Sequence, residues 1–189
     1  MATLTELAKY DRKQQVRKTL EEGVDANEQD EEGQTALFIA SSHNHTDLLA
    51  FLLSLNQLNI NLQRKDGWTP FFSCCSNGSV QAVLSLIQDP RTNINQANAA
   101  GWTPLMGACF NAQMEVVKIL LSFGRTIDLH KTSTIDFWGI RAGSKALDIA
   151  KKQKHNKLVL MLEEFKVSPL QSVQKARKEL RFQGKKKTN

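Results

Sequence analysis

The sequence predicts an all-α solenoid of stacked helix-turn-helix units with finger loops, comprising an N-terminal cap, about four repeats and a C-terminal helix. Three observations predict it. Gly33, Gly67 and Gly101 recur at intervals of 34 residues. Each opens the same local pattern: Gly33-Gln34-Thr35-Ala36-Leu37, Gly67-Trp68-Thr69-Pro70-Phe71 and Gly101-Trp102-Thr103-Pro104-Leu105. Each is followed by a second apolar-periodic run, Leu48/Leu49/Leu52/Leu53, Val80/Val83/Leu84/Ile87 and Val116/Val117/Leu120/Leu121. Self-similarity at such a period marks repeated supersecondary units. One helix pair cannot bury these faces alone, so stacking must do it.

Taken in order, Thr3-Leu4-Thr5-Glu6 fits a capping box, with Leu4, Leu7 and Ala8 on one helical face. Val16 and Leu20 mark a second short helix, which Gly23 ends at a left-handed position. This pair is polar and lacks the Gly-x-Thr start, as a terminal cap should. In the next three units, turns before Gly33, Gly67 and Gly101 need positive φ. Thr35, Thr69 and Thr103 cap the first helices, and Pro70 and Pro104 take the first helical position, where a missing N–H does no harm. Small residues follow at Ala40/Ser41, Cys74/Cys75 and Ala108/Cys109. They allow neighbouring pairs to approach closely.

The fourth unit is irregular. Its glycine is Gly143, 42 residues after Gly101, with Ala146–Ala150 and Leu158–Leu162 supplying the two helices. The excess of eight residues falls in Ile127–Ala142, an enlarged finger containing Phe137, Trp138 and Arg141. Lys145 stands where a capping Thr is expected. Ser168-Pro169-Leu170-Gln171 then starts a last helix, with Leu170, Val173 and Leu180 roughly on one face. The organisation predicted is a repeat domain over 1–166 and a basic helix and tail over 167–189.

The three Gly-x-Thr-Pro/Ala starts resemble the ankyrin repeat, whose hallmark is T-P-L-H-x-A, and the resemblance covers residues 3–166. It implies an ankyrin-repeat solenoid with a concave face, and Val24–Asn27 as the loop to the first finger. The family histidine is replaced by Phe38, Phe72, Met106 and Asp148. That histidine ties neighbouring turns by hydrogen bonds, so here the ties are expected to be apolar. Cys74, Cys75 and Cys109 stand where the family has small apolar residues, which implies buried packing and no disulfide.

Composition excludes several classes. Hydrophobic content of 41% over 189 residues suits one soluble domain with a core. No basic-then-apolar N-terminal stretch is present, so no secretory signal is expected. The apolar runs Leu48–Leu55 and Val116–Leu121 are too short to span a bilayer. Three cysteines without framework spacing suit a reducing compartment, cytoplasmic and/or nuclear. Net charge is +6; residues 170–189 hold seven basic and one acidic side chain, which leaves 18 of each elsewhere. The body is neutral and the tail carries the excess. No phosphate loop, zinc-protease motif or nucleophile signature occurs, so no enzyme, catalytic residue, cofactor or metal site is expected.

The function implied is a non-enzymatic protein-protein interaction module acting through its concave face and fingers. Large side chains not needed for the core are the candidate anchors. Trp68 and Trp102 stand at successive finger bases, and with Gln34, Ile39 and Phe110 form an expected row along the inner surface. Phe137, Trp138 and Arg141 are the finger contacts, unless that finger folds back to shield the third repeat. Glu21, Glu22, Asp25, Glu28, Asp30, Glu31 and Glu32 form an acidic lip that would select a basic partner segment. A monomer is expected. One alternative is a modified-peptide or small-ligand reader using Trp68 and Trp102. Another is association with nucleic acid or an acidic surface through the tail residues Lys175, Arg177, Lys178, Arg181, Lys185, Lys186 and Lys187.

Overall fold

Two parallel rows of helices build the molecule. A computed structural model describes residues 2–186, with side chains described through Glu179. The N-terminal pair is α1 (Leu4–Lys9) and α2 (Lys13–Glu21). Three pairs follow: α3 (Ala36–Ser42) with α4 (Thr46–Leu53), α5 (Pro70–Asn77) with α6 (Val80–Gln88), and α7 (Pro104–Phe110) with α8 (Met114–Ser122). The last pair is α9 (Ala146–Lys152) and α10 (Asn156–Val167), and α11 (Pro169–Lys186) closes the chain. Helices α1, α3, α5, α7 and α9 pack successively as an inner row, and α2, α4, α6, α8 and α10 as an outer row.

Caps set the helix starts. The hydroxyls of Thr35, Thr69 and Thr103 accept from the N–H of Phe38, Phe72 and Met106 at 3.1, 3.0 and 3.3 Å. Thr3 and Glu6 complete the capping box of α1. At α9, Lys145 has no hydroxyl to offer; instead the Asp148 carboxylate accepts from the Lys145 N–H at 3.0 Å. The three central inner helices, α3, α5 and α7, are buried almost entirely, α5 from Pro70 through Ser76. Their small residues make this close row: a Cβ at Gly107 would lie 3.2 Å from the Phe72 ring.

The lateral ties are polar as well as apolar, which corrects the expectation from the missing histidines. Asn27, Asn61 and Asn95 replace that tie at the 34-residue period. Their Oδ1 atoms accept from the N–H of Asn59, Asn93 and Asp128 at 2.7, 2.7 and 3.0 Å. Their Nδ2 groups donate to the carbonyls of Gln57, Arg91 and Thr126 at 3.1, 2.8 and 2.8 Å. An amide side chain carries both a donor and an acceptor, so one residue per repeat makes both bonds. At the finger bases the backbones join directly: Lys65 N–H to the Glu32 carbonyl at 3.0 Å, Ala99 to Asp66 at 3.1 Å and Thr134 to Ala100 at 2.9 Å.

Arginines tie the outer row. The Arg91 guanidinium donates to the Leu53 and Leu55 carbonyls at 2.7 and 3.1 Å, at the end of α4. Arg125, 34 residues on, reaches Asp89 and Thr92 carbonyls at 3.2 and 2.8 Å beyond α6. Cations at helix C-termini satisfy orphan carbonyls and complement the helix dipole. Asp89 orients Arg91 at 2.7 Å, and that pairing holds the Asp89 carboxyl below its ordinary range. At the end of α8, the Ser122 carbonyl accepts from Nε of Arg177 at 2.8 Å. Helix α11 thus docks on α8 and α10 and supplies the contact that a following repeat would make.

Finger glycines provide a direct test. Gly67 has φ +83°, and a Cβ there would stand 2.5 Å from the Ala99 nitrogen; Gly143, φ +81°, has nothing within 4 Å. Gly143→Ala should cost about 1–2 kcal/mol, from backbone strain alone. Gly67→Ala adds a clash with the next finger and should cost clearly more, about 3 kcal/mol or above. Urea unfolding followed by circular dichroism checks both values.

Candidate functional site

The fourth finger folds as a small hairpin. Phe137 and Ile140 exchange both backbone hydrogen bonds at 2.9 Å. The two tip residues, Trp138 and Gly139, have φ of +48° and +75°. Two positive φ values in succession are the pattern of a tight I′ hairpin turn. A tryptophan is costly there, because its Cβ crowds the following carbonyl by about 1–2 kcal/mol. Further down, the Asp136 carboxylate accepts from the Ala142 N–H at 2.8 Å. Ser133 closes the base, pairing with Ser144 at 2.9 Å and with Gly143 at 2.8 Å.

This hairpin turns back over the inner-helix side. The Trp138 ring lies 4.5 Å from Phe137, 5.2 Å from Phe110, 5.7 Å from Trp102 and 5.9 Å from Trp68, centroid to centroid. Trp102 also meets Phe110 at 5.4 Å and Phe137 at 5.3 Å, both edge-on. Trp68 packs on Phe72 at 4.5 Å. Edge-to-face and offset pairs at these separations each contribute about 0.5–1.5 kcal/mol beyond area burial. Together they offset the strained tip.

Several predicted positions need correction. Trp68 is 9% exposed, Trp102 0% and Ile39 1%, so these three form no open row along the inner surface. The enlarged finger packs Phe137 and Trp138 against the indoles, whereas Ile39 belongs to the buried helical core. Phe110 and Gln34 are half-buried. The structure therefore brings Trp68, Trp102, Phe110, Phe137 and Trp138 into one cluster and leaves Gln34 and Ile39 outside it. Neither Nε1–H of Trp68 and Trp102 has an acceptor among the described residues, a cost of about 1–3 kcal/mol each that the ring packing must exceed.

Arg64 is the residue that sequence reasoning missed. Its guanidinium lies 4.8 Å over the Trp68 ring and 5.3 Å over Phe38. Asp66 holds it with bonds of 2.7 and 2.6 Å and raises its pKa. The signal was an Arg two residues before Asp66 in a turn read only for its glycine. Trp68 thus already carries a cation from its own chain, and Trp102 is covered by Phe110, Phe137 and Trp138. Neither indole offers a free face for a reader's cage.

What stays accessible in this finger is Trp138, 49% exposed, and Ile135, 53% exposed three residues earlier in the chain. Arg141 is exposed and makes no side-chain hydrogen bond or ion pair among the described residues. The acidic lip is solvated at Glu21, Glu22, Asp25, Glu28, Glu31 and Glu32, with Asp30 half-buried. Of the tail, Lys175 pairs with Glu164 at 2.9 Å and Arg177 binds Ser122, so two of its basic groups serve docking. Lys178 is exposed. The side chains of Arg181, Lys185 and Lys186, and the whole of Lys187, lie outside the described residues.

Cys74, Cys75 and Cys109 are buried. Burial pushes the Cys109 thiol up to about 12, and burial with the Cys74 neighbour raises Cys75 well above its usual value. A nucleophile needs the thiolate, so Cys75 and Cys109 are packing residues, and Cys74 is buried next to Cys75. Among the described residues no group of three or more His, Cys, Asp or Glu could hold a metal ion, and no helix is long and apolar enough to cross a membrane.

Residues 4–98 match the family model for ankyrin repeats in three copies, and residues 100–133 match that for a single ankyrin repeat. The chain belongs to the ankyrin-repeat family. Ankyrin repeats are protein-protein interaction modules, and proteins built from them are typically non-enzymatic scaffolds. No curated protein gives a significant match. The tip of the fourth finger and the α9–α10 pair lie beyond the matched ankyrin segments.

The cluster's division between buried and exposed rings is measurable. Trp102→Ala should lower the unfolding free energy by about 3–5 kcal/mol, as expected for a buried aromatic. Trp138→Ala, half in water and relieved of its left-handed strain, should cost less than half as much. Equilibrium urea titrations of both variants test the ranking.

Proposed function

We propose that the chain captures a partner protein along its finger row, with the outer face of Trp138 as the anchor. The supporting observation is that this ring is half exposed while its backbone and inner face are fixed. A side chain already held in its binding geometry loses little conformational entropy on association. Tryptophan is also enriched where truncation costs most. Ile135 and Arg141, exposed three residues before and after Trp138 in the same finger, add an apolar and a cationic group, so the complementary surface carries an apolar group together with a carboxylate or carbonyl.

At the other end of the row stand Glu28, Glu31 and Glu32, exposed and without ion pairs among the described residues. They favour a basic stretch of the partner and speed its approach at low salt. The unframed, buried thiols suit a cytoplasmic or nuclear setting.

Trp138→Asn tests the anchor cleanly, because asparagine tolerates the left-handed tip and keeps the turn. Quantitative capture from a cell lysate should retain a protein on the wild-type chain that the variant loses, with affinity for the isolated partner weakened by about 2 kcal/mol or more. Reversing Glu28, Glu31 and Glu32 to Lys should slow association of the same partner. Equal capture by wild type and Trp138→Asn would remove the anchor role.

A further inference from the structure

Helix α11 covers the outer side of α8 and α10 without filling it. A cavity of about 260 Å³ remains at this junction. Met114 and Leu121 of α8 and Leu160, Met161 and Phe165 of α10 supply its apolar walls. From α11 the lining residues are Ser172, Lys175, Ala176 and Glu179, spaced to share one helical face. None is a large apolar side chain. Among the described apolar side chains of α11, Leu170 is 81% exposed and Val173 is half-buried, and neither lines the cavity.

Polar contacts hold the cover in place. Lys118 meets Glu179 at 2.6 Å, Lys175 meets Glu164 at 2.9 Å, and Arg177 donates to the Ser122 carbonyl at 2.8 Å. The Lys175–Glu164 pair is open to solvent and screened by salt, so it contributes little, while Lys118 in the other pair is 20% exposed. Apolar surface continues beyond the cover, with Leu160 61% and Val167 82% exposed. A greasy seat thus carries a lid whose facing residues, among those described, are small or charged. Agreement between the two levels is the usual state of an internal contact, and it is lacking here.

We propose that the α8–α10 groove is a docking site for an amphipathic helix of a partner protein, which α11 covers in the free chain and the partner's helix replaces. Helix-in-groove recognition uses large apolar anchors four residues apart, and the positions of Ser172 and Ala176 show where they would enter. Charge defines the flank of that helix. Lys118, now held by Glu179, and Lys157, with no carboxylate within ion-pair distance among the described residues, border the groove. Glu164 of α10 lines the same groove. The occupant therefore carries, beside its apolar stripe, an acidic residue for Lys118 and Lys157 and a basic one for Glu164, as α11 does with Glu179 and Lys175.

The experiment uses the full chain and a fluorescent synthetic helix of residues 168–186 carrying Ser172→Leu and Ala176→Leu. In the full chain, Lys175→Ala with Arg177→Ala removes two latch contacts without touching the groove walls. Fluorescence anisotropy should show the probe binding this variant at least tenfold more tightly than wild type. Adding Leu160→Glu, at an exposed position, should weaken that binding at least tenfold. In a separate full chain, Ser172→Leu with Ala176→Leu should raise the melting temperature and slow amide exchange in α11. No probe binding to the unlatched chain, equal affinity for latched and unlatched forms, indifference to Leu160→Glu, or a lowered melting temperature on filling the cavity would each overturn the proposal.

Discussion

Each finger rests on the preceding one through a backbone hydrogen bond that only a glycine leaves room for. Gly33, Gly67 and Gly101 all have positive φ, and a Cβ at any of them would press on the following finger at 3.0 Å or less. Because fingers meet backbone to backbone, the spacing between repeats is fixed by peptide geometry. The asparagine and arginine ties then fall into step at the same period. Inner helices can be short because their burial is shared with both neighbours. At Gly143 no further finger follows, and the constraint lapses to a turn requirement alone.

Against this regular frame, the extra eight residues of the fourth finger change what the surface presents. Phe72 and Arg64 cover Trp68 in part, and Phe110 covers Trp102 in part. The hairpin reaches back across two repeats and seals both indoles, so the accessible aromatic is one the repeat pattern does not specify. The tip is strained, and the surrounding rings hold it. Strain kept in place by its surroundings is a feature of binding and switching segments.

The frame was legible because it is periodic: glycines, threonines and apolar runs repeat, and each has a local physical meaning. The helix starts at Thr3, Thr35, Thr69 and Thr103 could be read from single residues. Contacts that cross repeats could not. A tryptophan beside a turn glycine looks surplus to the core until the partner ring, 36 residues later, is known to return to it. Arg64 shows the same limit, since its role depends on Trp68 and Phe38 being neighbours in space. The asparagine ladder had a period in the sequence, but nothing local distinguishes a tie from an ordinary turn asparagine. The tail's charge was visible, whereas its use of Arg177 on a helix end required the fold.

All three tryptophans of the chain belong to one contact cluster. Their emission therefore reports a single place rather than an average over the molecule. Two of the indoles are dry and one is half wet, so lifting the hairpin would move the dry pair into water and redden the spectrum while the helices stay intact. The protein carries its own optical gauge of whether that finger is closed or raised.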